Sequence, residues 1–143
     1  MKNYIEWSDK IYATGVNFLD EQHKKMFSML NQLFFMMQEN ANWQDVIRVI
    51  DQLANYAEEH FKAEEQYFCQ LKLKSENQHR CEHHDFLIKV KKFRKDYENG
   101  KLSLGLDVFF FVKDWIDHHI KAMDSHYSIS RDIRPGEFLR AKI

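Results

Sequence analysis

Histidine occupies positions at which four helical segments of the sequence would otherwise carry apolar residues. Eight of the 143 residues are His, and those that interrupt the apolar stripes are His23, His60, His79, His83 and His119. Glu64 lies on the same stripe as His60, and Asp124 is a further candidate near the end of the fourth segment. A buried polar group without a partner costs ~1–3 kcal/mol. So many polar groups on apolar faces therefore predict a shared ligand, namely a metal.

The spacing of these residues arranges them in pairs. A step of four residues turns a helix by ~400°, so His60 and Glu64 project from one face, as do His79 and His83. Taken alone, a His on an apolar face is most often a satisfied core residue, and a His–Glu pair is often only a surface pair. Imidazoles and carboxylates converging from four helices instead match transition-metal sites in bundle cores. The set exceeds the needs of one ion, whereas two ions bridged by two carboxylates use it fully.

Four amphipathic helices must position these residues. Apolar residues recur at spacings of three and four over residues 19–39, 43–72, 76–99 and 103–125. Residues 1–18 show no helical period and are expected to form an arm packed on the domain. The sequence predicts a single domain over residues 1–143, an all-α, up-down-up-down antiparallel four-helix bundle with an N-terminal arm and a short C-terminal tail. Three-helix and extended coiled-coil arrangements fit less well, because the heptads are not sustained.

The same periodicity predicts which side of each helix faces the core. The second predicted face comprises Val46, Ile50, Leu53, Ala57, His60, Glu64, Tyr67 and Leu71. The fourth comprises Val108, Phe111, Trp115, His119 and Met123. Aromatic residues at these spacings are expected to be mainly core residues.

The composition excludes several classes of protein. Apolar residues make up 44% and charged residues 30% of the chain, which is typical of a globular protein. One Pro and four Gly leave little room for the turns of a β-sandwich or barrel. A net charge of −1 argues against a nucleic-acid partner, and no apolar run approaches the ~20 residues of a membrane span. Cys69 and Cys81 cannot build a disulfide framework, so we expect reduced thiols and a cytoplasmic location.

Four stretches of the chain resemble the hemerythrins, most closely the single-domain bacterial ones. They are residues 17–23 (NFLDEQH), 60–65 (HFKAEE), 79–83 (HRCEH) and 115–124 (WIDHHIKAMD). They occur in the family's order at compatible intervals, and the resemblance covers nearly the whole chain. It therefore implies a four-helix bundle that holds two iron ions.

The resemblance also implies a role for each residue at the site. His79, His83 and His119 would hold one iron, and His23 and His60 the other. Glu64 and Asp124 would bridge the two irons, together with an oxo or hydroxo group. O₂ would bind as hydroperoxide at the iron that has two His ligands. The residues expected to wall the O₂ pocket are Ile116, Trp115 and Phe27.

Three further His are expected to lie outside this site. His84 follows His83 and His118 precedes His119, and only one member of each adjacent pair can face the core. His126 is placed outside as well. Asp124 lies five residues after His119, which is ~140° around an ideal helix. A distorted or ending turn, or a π-type bulge, is expected to bring it to the site.

The predicted function is reversible O₂ binding by a non-haem di-iron protein, serving oxygen storage, delivery or scavenging. A binding protein is favoured over an enzyme because nothing in the sequence supplies a catalytic acid or a polar substrate pocket. Two alternatives remain: a di-iron enzyme (a peroxidase, an oxidase or a nitric oxide reductase) and a module that senses O₂ or iron. O₂ is the expected partner, with neither nucleic acid nor membrane, and the chain is expected to be a monomer or a weak homo-oligomer.

Overall fold

A computed structural model of the chain describes residues 5–71, 76–99 and 105–127. Within these ranges, the side chains of residues 76, 105, 106, 108 and 123–127 lie outside the description. The predicted C-terminal tail beyond residue 127 also lies outside the described residues.

Five helices account for most of the described residues, which form no strand. They are α1 (Asp9–Tyr12), α2 (Asn17–Gln38), α3 (Trp43–Leu71), α4 (Glu76–Glu98) and α5 (Gly105–Tyr127). The long helix α2 packs against α3 and α5, and α4 packs against the same two helices. Each long helix therefore has two neighbours, and the predicted all-α four-helix bundle is confirmed. No helix in the described part of the chain is both long and apolar enough to cross a membrane.

The N-terminal arm is more ordered than its lack of periodicity suggested. It contains the one-turn helix α1, and α2 begins at Asn17, before the expected residue 19. Side chains tie this segment to the bundle. The Asn31 side chain exchanges two hydrogen bonds with the backbone of Ile5, and Tyr12 donates a 2.8 Å hydrogen bond to Asp117 of α5. These contacts join residues far apart in the sequence, so local periodicity does not reveal them.

Residues 39–42 connect α2 to α3. Asn40 adopts a positive φ of 52°, a conformation that Asn tolerates better than most residues. The backbone N–H of Ala41 then donates to the carbonyl of Met36, which closes the end of α2. The sequence at 40–42 therefore ends one helix and lets the chain reverse.

The predicted face of the fourth helix is only partly described, because the side chains of Val108 and Met123 lie outside the described residues. Among the described side chains of α5, the fully buried apolar ones are Phe109, Val112, Ile116 and Ile120, whereas Phe111 and Trp115 are half-buried and pack against the core. His119 is buried as predicted, so this difference does not move the predicted ligand. The apolar run at residues 108–112 fits full burial of either Phe109 or Phe111, and packing against α2 and α4 selects between them.

A polar layer divides the core of the bundle. The larger apolar cluster includes Phe27 of α2 and Phe61 of α3, and the smaller one includes Leu19 and Phe68 of the same two helices. His23 lies between Leu19 and Phe27 along α2, and Glu64 lies between Phe61 and Phe68 along α3. The polar residues predicted to form the site therefore interrupt the core.

Candidate metal centre

All four long helices contribute a buried imidazole to the polar layer. His23 comes from α2, His60 and Glu64 from α3, His79 and His83 from α4, and His119 from α5. None of these six residues is more than 3% exposed. The i, i+4 spacing within α3 and within α4 directs both members of each pair to the core, because four residues make about one helical turn.

The Glu64 carboxylate lies at the centre of the layer. Its Oε1 is 2.9 Å from Nε2 of His119, 3.2 Å from Nε2 of His83 and 3.4 Å from Nε2 of His60. Its Oε2 lies 3.7 Å from Nε2 of His23. The Glu64 carboxylate therefore contacts one imidazole from each of the four long helices.

Three imidazoles and Glu64 are close enough to share an ion. Ligand atoms of His23, His60, Glu64 and His119 lie within 4.8 Å of one another. His83 contacts Glu64 of this group. His79 lies beside His119, with 6.4 Å between the centres of these two rings. The structure thus brings together six of the seven residues predicted as ligands. Asp124, the seventh, lies in α5, but its side chain is outside the described residues.

The other His residues and the pocket residues have distinct positions. His84 and His118 are exposed, and the side chain of His126 is not described. Ile116 is buried in the core one turn before His119. Trp115 lies flat on the His119 ring, with centres 4.5 Å apart. Phe27 is buried against Trp7 and Tyr12 of the arm.

Burial favours the neutral, metal-binding form of two of the imidazoles, His60 and His119. Desolvation lowers the pKa of His60 from 6.5 to about 4, against the opposing attraction of Glu64. Desolvation also lowers the pKa of His119. Burial alone would raise the pKa of Glu64, but the nearby His119 and His60 outweigh it and hold that pKa well below 4.5. The Glu64 carboxylate is therefore ionised, beside the neutral rings of His60 and His119.

The donor set fits a metal cation. Oε1 of Gln22 lies 2.6 Å from Nδ1 of His60; since a carboxamide oxygen accepts, Nδ1 carries the proton and Nε2 presents a lone pair. That lone pair faces the Glu64 carboxylate. Among the described residues, Nδ1 and Nε2 of His23 and Nδ1 of His119 also lack a hydrogen bond. Lone pairs facing one another in a dry core are stabilised by a cation between them.

Two features of the site were missed by sequence reasoning. Phe68 stacks on His79 with ring centres 4.8 Å apart, and Gln22 orients His60. Phe68 lies four residues after Glu64 and Gln22 directly precedes His23. The helical spacing of Phe68 could have revealed it, whereas the contact of Gln22 with α3 depends on how the helices pack.

The known proteins that are similar in sequence to this chain are consistent with a metal site. The family model for the "Hemerythrin HHE cation binding domain" covers residues 14–128. The chain is 29% identical to a bacteriohemerythrin of Methylococcus capsulatus over 86% of this chain and 93% of that protein. It is 33% identical to a hemerythrin-like protein of Naegleria gruberi over 83% of this chain and 87% of that protein.

Solved structures agree with the sequence comparison. A wild-type hemerythrin crystal structure superposes with a TM-score of 0.79 at 28% identity, covering 87% of this chain and 95% of that one. A leucine-to-tyrosine hemerythrin variant gives a TM-score of 0.83 at 26% identity, covering 92% and 100%. Because the family model spans most of the bundle and its cation-binding description agrees with the His and Glu layer, the chain belongs to the hemerythrin family.

Proposed function

We propose that the chain binds O₂ reversibly at two non-haem iron ions within the polar layer. The observation that carries this proposal is the buried Glu64 carboxylate, contacted through its two oxygens by imidazoles from all four long helices. Three imidazoles lie at Oε1 and one, that of His23, lies at Oε2, so both oxygens face possible ligands, as a carboxylate that bridges two ions requires.

The proposed ligands follow the predicted division. His79, His83 and His119 would hold one iron and His23 and His60 the other, with Glu64, Asp124 and an oxo or hydroxo group as bridges. When bound, the two ferrous ions supply the electrons that O₂ takes up on binding. Support for iron comes from the family, which binds non-haem iron, and from the neutral imidazoles described above.

The protein's own residues hold the ligands and exclude water. Phe61, Phe68 and Trp115 fix the planes of three imidazoles, and Gln22 fixes the tautomer of a fourth. Ile116, Trp115 and Phe27 are proposed to wall the O₂ pocket. An apolar wall slows the entry of water and protons, which favours release of O₂ over irreversible oxidation.

Burial of the site favours a small ligand over an organic substrate. Each described ligand residue is at most 3% exposed, so a bulky substrate would have to displace stacked rings to reach the centre. We therefore propose a binding protein for O₂ storage, delivery or scavenging. The proposal places the chain in the cytoplasm, as a monomer or weak homo-oligomer whose exposed Cys69 and Cys81 stay reduced.

An anaerobic O₂ titration tests this function. The chain, loaded with ferrous iron, is titrated with O₂, followed by optical spectroscopy and then deoxygenated under argon. We expect two irons per chain, one O₂ per two irons and full return of the initial spectrum. Irreversible oxidation with turnover of peroxide or nitric oxide would instead assign an enzyme, and one zinc per chain would refute the di-iron site.

Matched variants of two adjacent residues test the site's register. His119→Ala should lose iron, because His119 lies 2.9 Å from the central carboxylate. His118→Ala should keep both irons, because His118 is exposed and adjacent helical positions point ~100° apart. Iron retained by the first variant and lost by the second would refute the assignment.

A further inference from the structure

A cleft between α3 and α4 extends from the protein surface to His83, one residue of the buried site. It has a volume of about 170 Å³, and its floor includes Phe61 and His83. A water molecule needs about 10–15 Å³ of such space, so a partly hydrated ion fits. The charged and polar side chains along its walls are Glu58, Lys62 and Glu65 of α3 and Arg80 and His84 of α4.

His83 is the point at which the cleft meets the metal centre. The residue is only 2% exposed, and among the described residues its Nδ1 has no hydrogen-bond partner. Its Nε2 lies 3.2 Å from Glu64. The Phe61 ring covers one face of the imidazole, with centres 4.0 Å apart and planes at 4°. The cleft therefore ends at the His83 ring, and both nitrogens of that ring are themselves buried.

An ion pair joins the two walls of the cleft. Nη1 of Arg80 lies 3.4 Å from Oε1 of Glu65, and the Glu65 side chain is only 19% exposed. Glu65 is the neighbour of the central Glu64, and Arg80 lies one turn before His83. Lys62 faces Glu58 across 4.0 Å at the more exposed end. Each carboxylate in the cleft thus already has a cationic partner, which a metal ion must displace.

We propose that divalent metal ions enter and leave the buried centre through this cleft, with Glu65 as a transit ligand and Arg80 as the gate. This inference rests on the proposed function, since it concerns loading of the same site. Carboxylate oxygens bind ferrous and similar ions readily. The guanidinium is always charged and repels a divalent cation while it competes for Glu65. The Arg80 side chain is 48% exposed, and an ion pair with one exposed partner is weak, so the gate opens without unfolding the bundle.

Metal uptake by the metal-free chain tests the gate. The metal-free protein is mixed anaerobically with Co²⁺, and its ligand-field absorption is followed by stopped flow. Arg80→Gln should speed uptake and Glu65→Gln should slow it, each by about tenfold, as one charge acting on a divalent ion a few ångströms away in water predicts. Both variants should still bind two Co²⁺ per chain. Arg80→Lys, which keeps the charge, should load at nearly the parent rate.

A control removes a comparable charge elsewhere on α3. Arg48→Gln breaks an exposed ion pair with Asp45, 3.1 Å long, near the start of the helix, and should load at the parent rate. The effects of the Arg80 and Glu65 variants should shrink in high salt, because screening weakens charge interactions in open clefts.

The opposite changes in uptake rate expected for Arg80→Gln and Glu65→Gln distinguish an electrostatic gate from a structural effect of the substitutions. If both variants sped uptake, loosening of α3 from α4 would be the cause and the gate would be refuted. Unchanged rates in both would show that metal enters elsewhere. A parent chain that binds no Co²⁺ would overturn the proposed function as well. Loss of reversible O₂ binding with the two opposite rate changes intact would overturn that function alone.

Discussion

The two proposed groups of ligands, a three-His side (His79, His83 and His119) and a two-His side (His23 and His60), hold their imidazoles in different ways. On the three-His side, each ring lies flat against an aromatic ring: His79 on Phe68 at 19°, His83 on Phe61 at 4° and His119 on Trp115 at 16°. On the two-His side, His23 and His60 meet each other at 70° with centres 4.5 Å apart. There the described support for His60 is a hydrogen bond from its Nδ1 to Gln22.

This difference separates two ways of orienting a ligand. A stacked ring fixes the plane of an imidazole and leaves its edge free for a metal, at no cost in buried polar atoms. A hydrogen bond fixes the tautomer and the ring's rotation together, but its partner Gln22 is half-buried and within reach of water. We expect the three-His side to be the stiffer half and the two-His side to be the half that adapts when a ligand binds.

Substitution of Glu64, the carboxylate that contacts imidazoles of both proposed groups, should have the largest effect, and that effect is on iron binding. Glu64→Gln removes the charge that contacts imidazoles on both sides, so the chain should bind fewer than one iron instead of two. The metal-free fold should persist, because Gln has nearly the same volume. Iron analysis after gel filtration measures this. Glu59→Gln, at an exposed position of the same helix, should keep two irons, and retention of both irons by Glu64→Gln would show that the halves do not depend on this bridge.

Loss of the aromatic ring that stacks on His79, on the three-His side, should have the next largest effect. Phe68 is fully buried and stacks on His79, so Phe68→Ala should lower the free energy of unfolding by ~3–5 kcal/mol. Metal should also leave the variant faster, because the plane of His79 is no longer fixed. Urea unfolding and iron loss to a chelator measure the two effects. A variant that unfolds more easily but loses iron at the parent rate would show that stacking serves the fold alone.

The fold was largely predictable because helical periodicity is a local property. Spacings of three and four placed His23, His60 and His119 on buried faces without knowledge of the bundle. The plane of each ring was not predictable, since Phe61 and Trp115 fit an ordinary core as well as a stack. The half-burial of Phe111 was not predictable, because residues 108–112 are apolar on every side. Contacts from the arm, such as Tyr12 to Asp117, depend on tertiary packing.

Acid tests whether the buried rings remain neutral in both halves. Because the pKa of His60 is about 4 in the fold against 6.5 ordinarily, the unfolded chain takes up a proton between these values and the folded chain does not. The metal-free protein should therefore be fully stable above pH 6.5 and lose up to about 3 kcal/mol as pH falls to 4. Burial of His119 on the other side acts in the same direction.

Urea unfolding of the metal-free chain at several pH values measures this loss. His60→Leu should flatten the dependence on pH, since it removes the group that titrates in the unfolded chain. His118→Ala should leave the dependence unchanged, because His118 is exposed. A parent chain equally stable at pH 7 and pH 5 would contradict neutral burial.

Loss of the hydrogen bond between His60 and Gln22, on the two-His side, should have the smallest effect on the stability of the fold. Gln22→Ala removes the acceptor of His60 Nδ1 and should lower the free energy of unfolding by only ~0.5–1.5 kcal/mol. Iron affinity should fall by about 10–100-fold, as for other outer-sphere partners of a metal ligand, because His60 can then rotate or change tautomer. Competition with a chelator measures this affinity. Gln22→Glu keeps an acceptor at this position and should stay near the parent. If Gln22→Ala binds iron as tightly as the parent, packing alone orients His60, and the two halves of the layer do not differ in the way proposed.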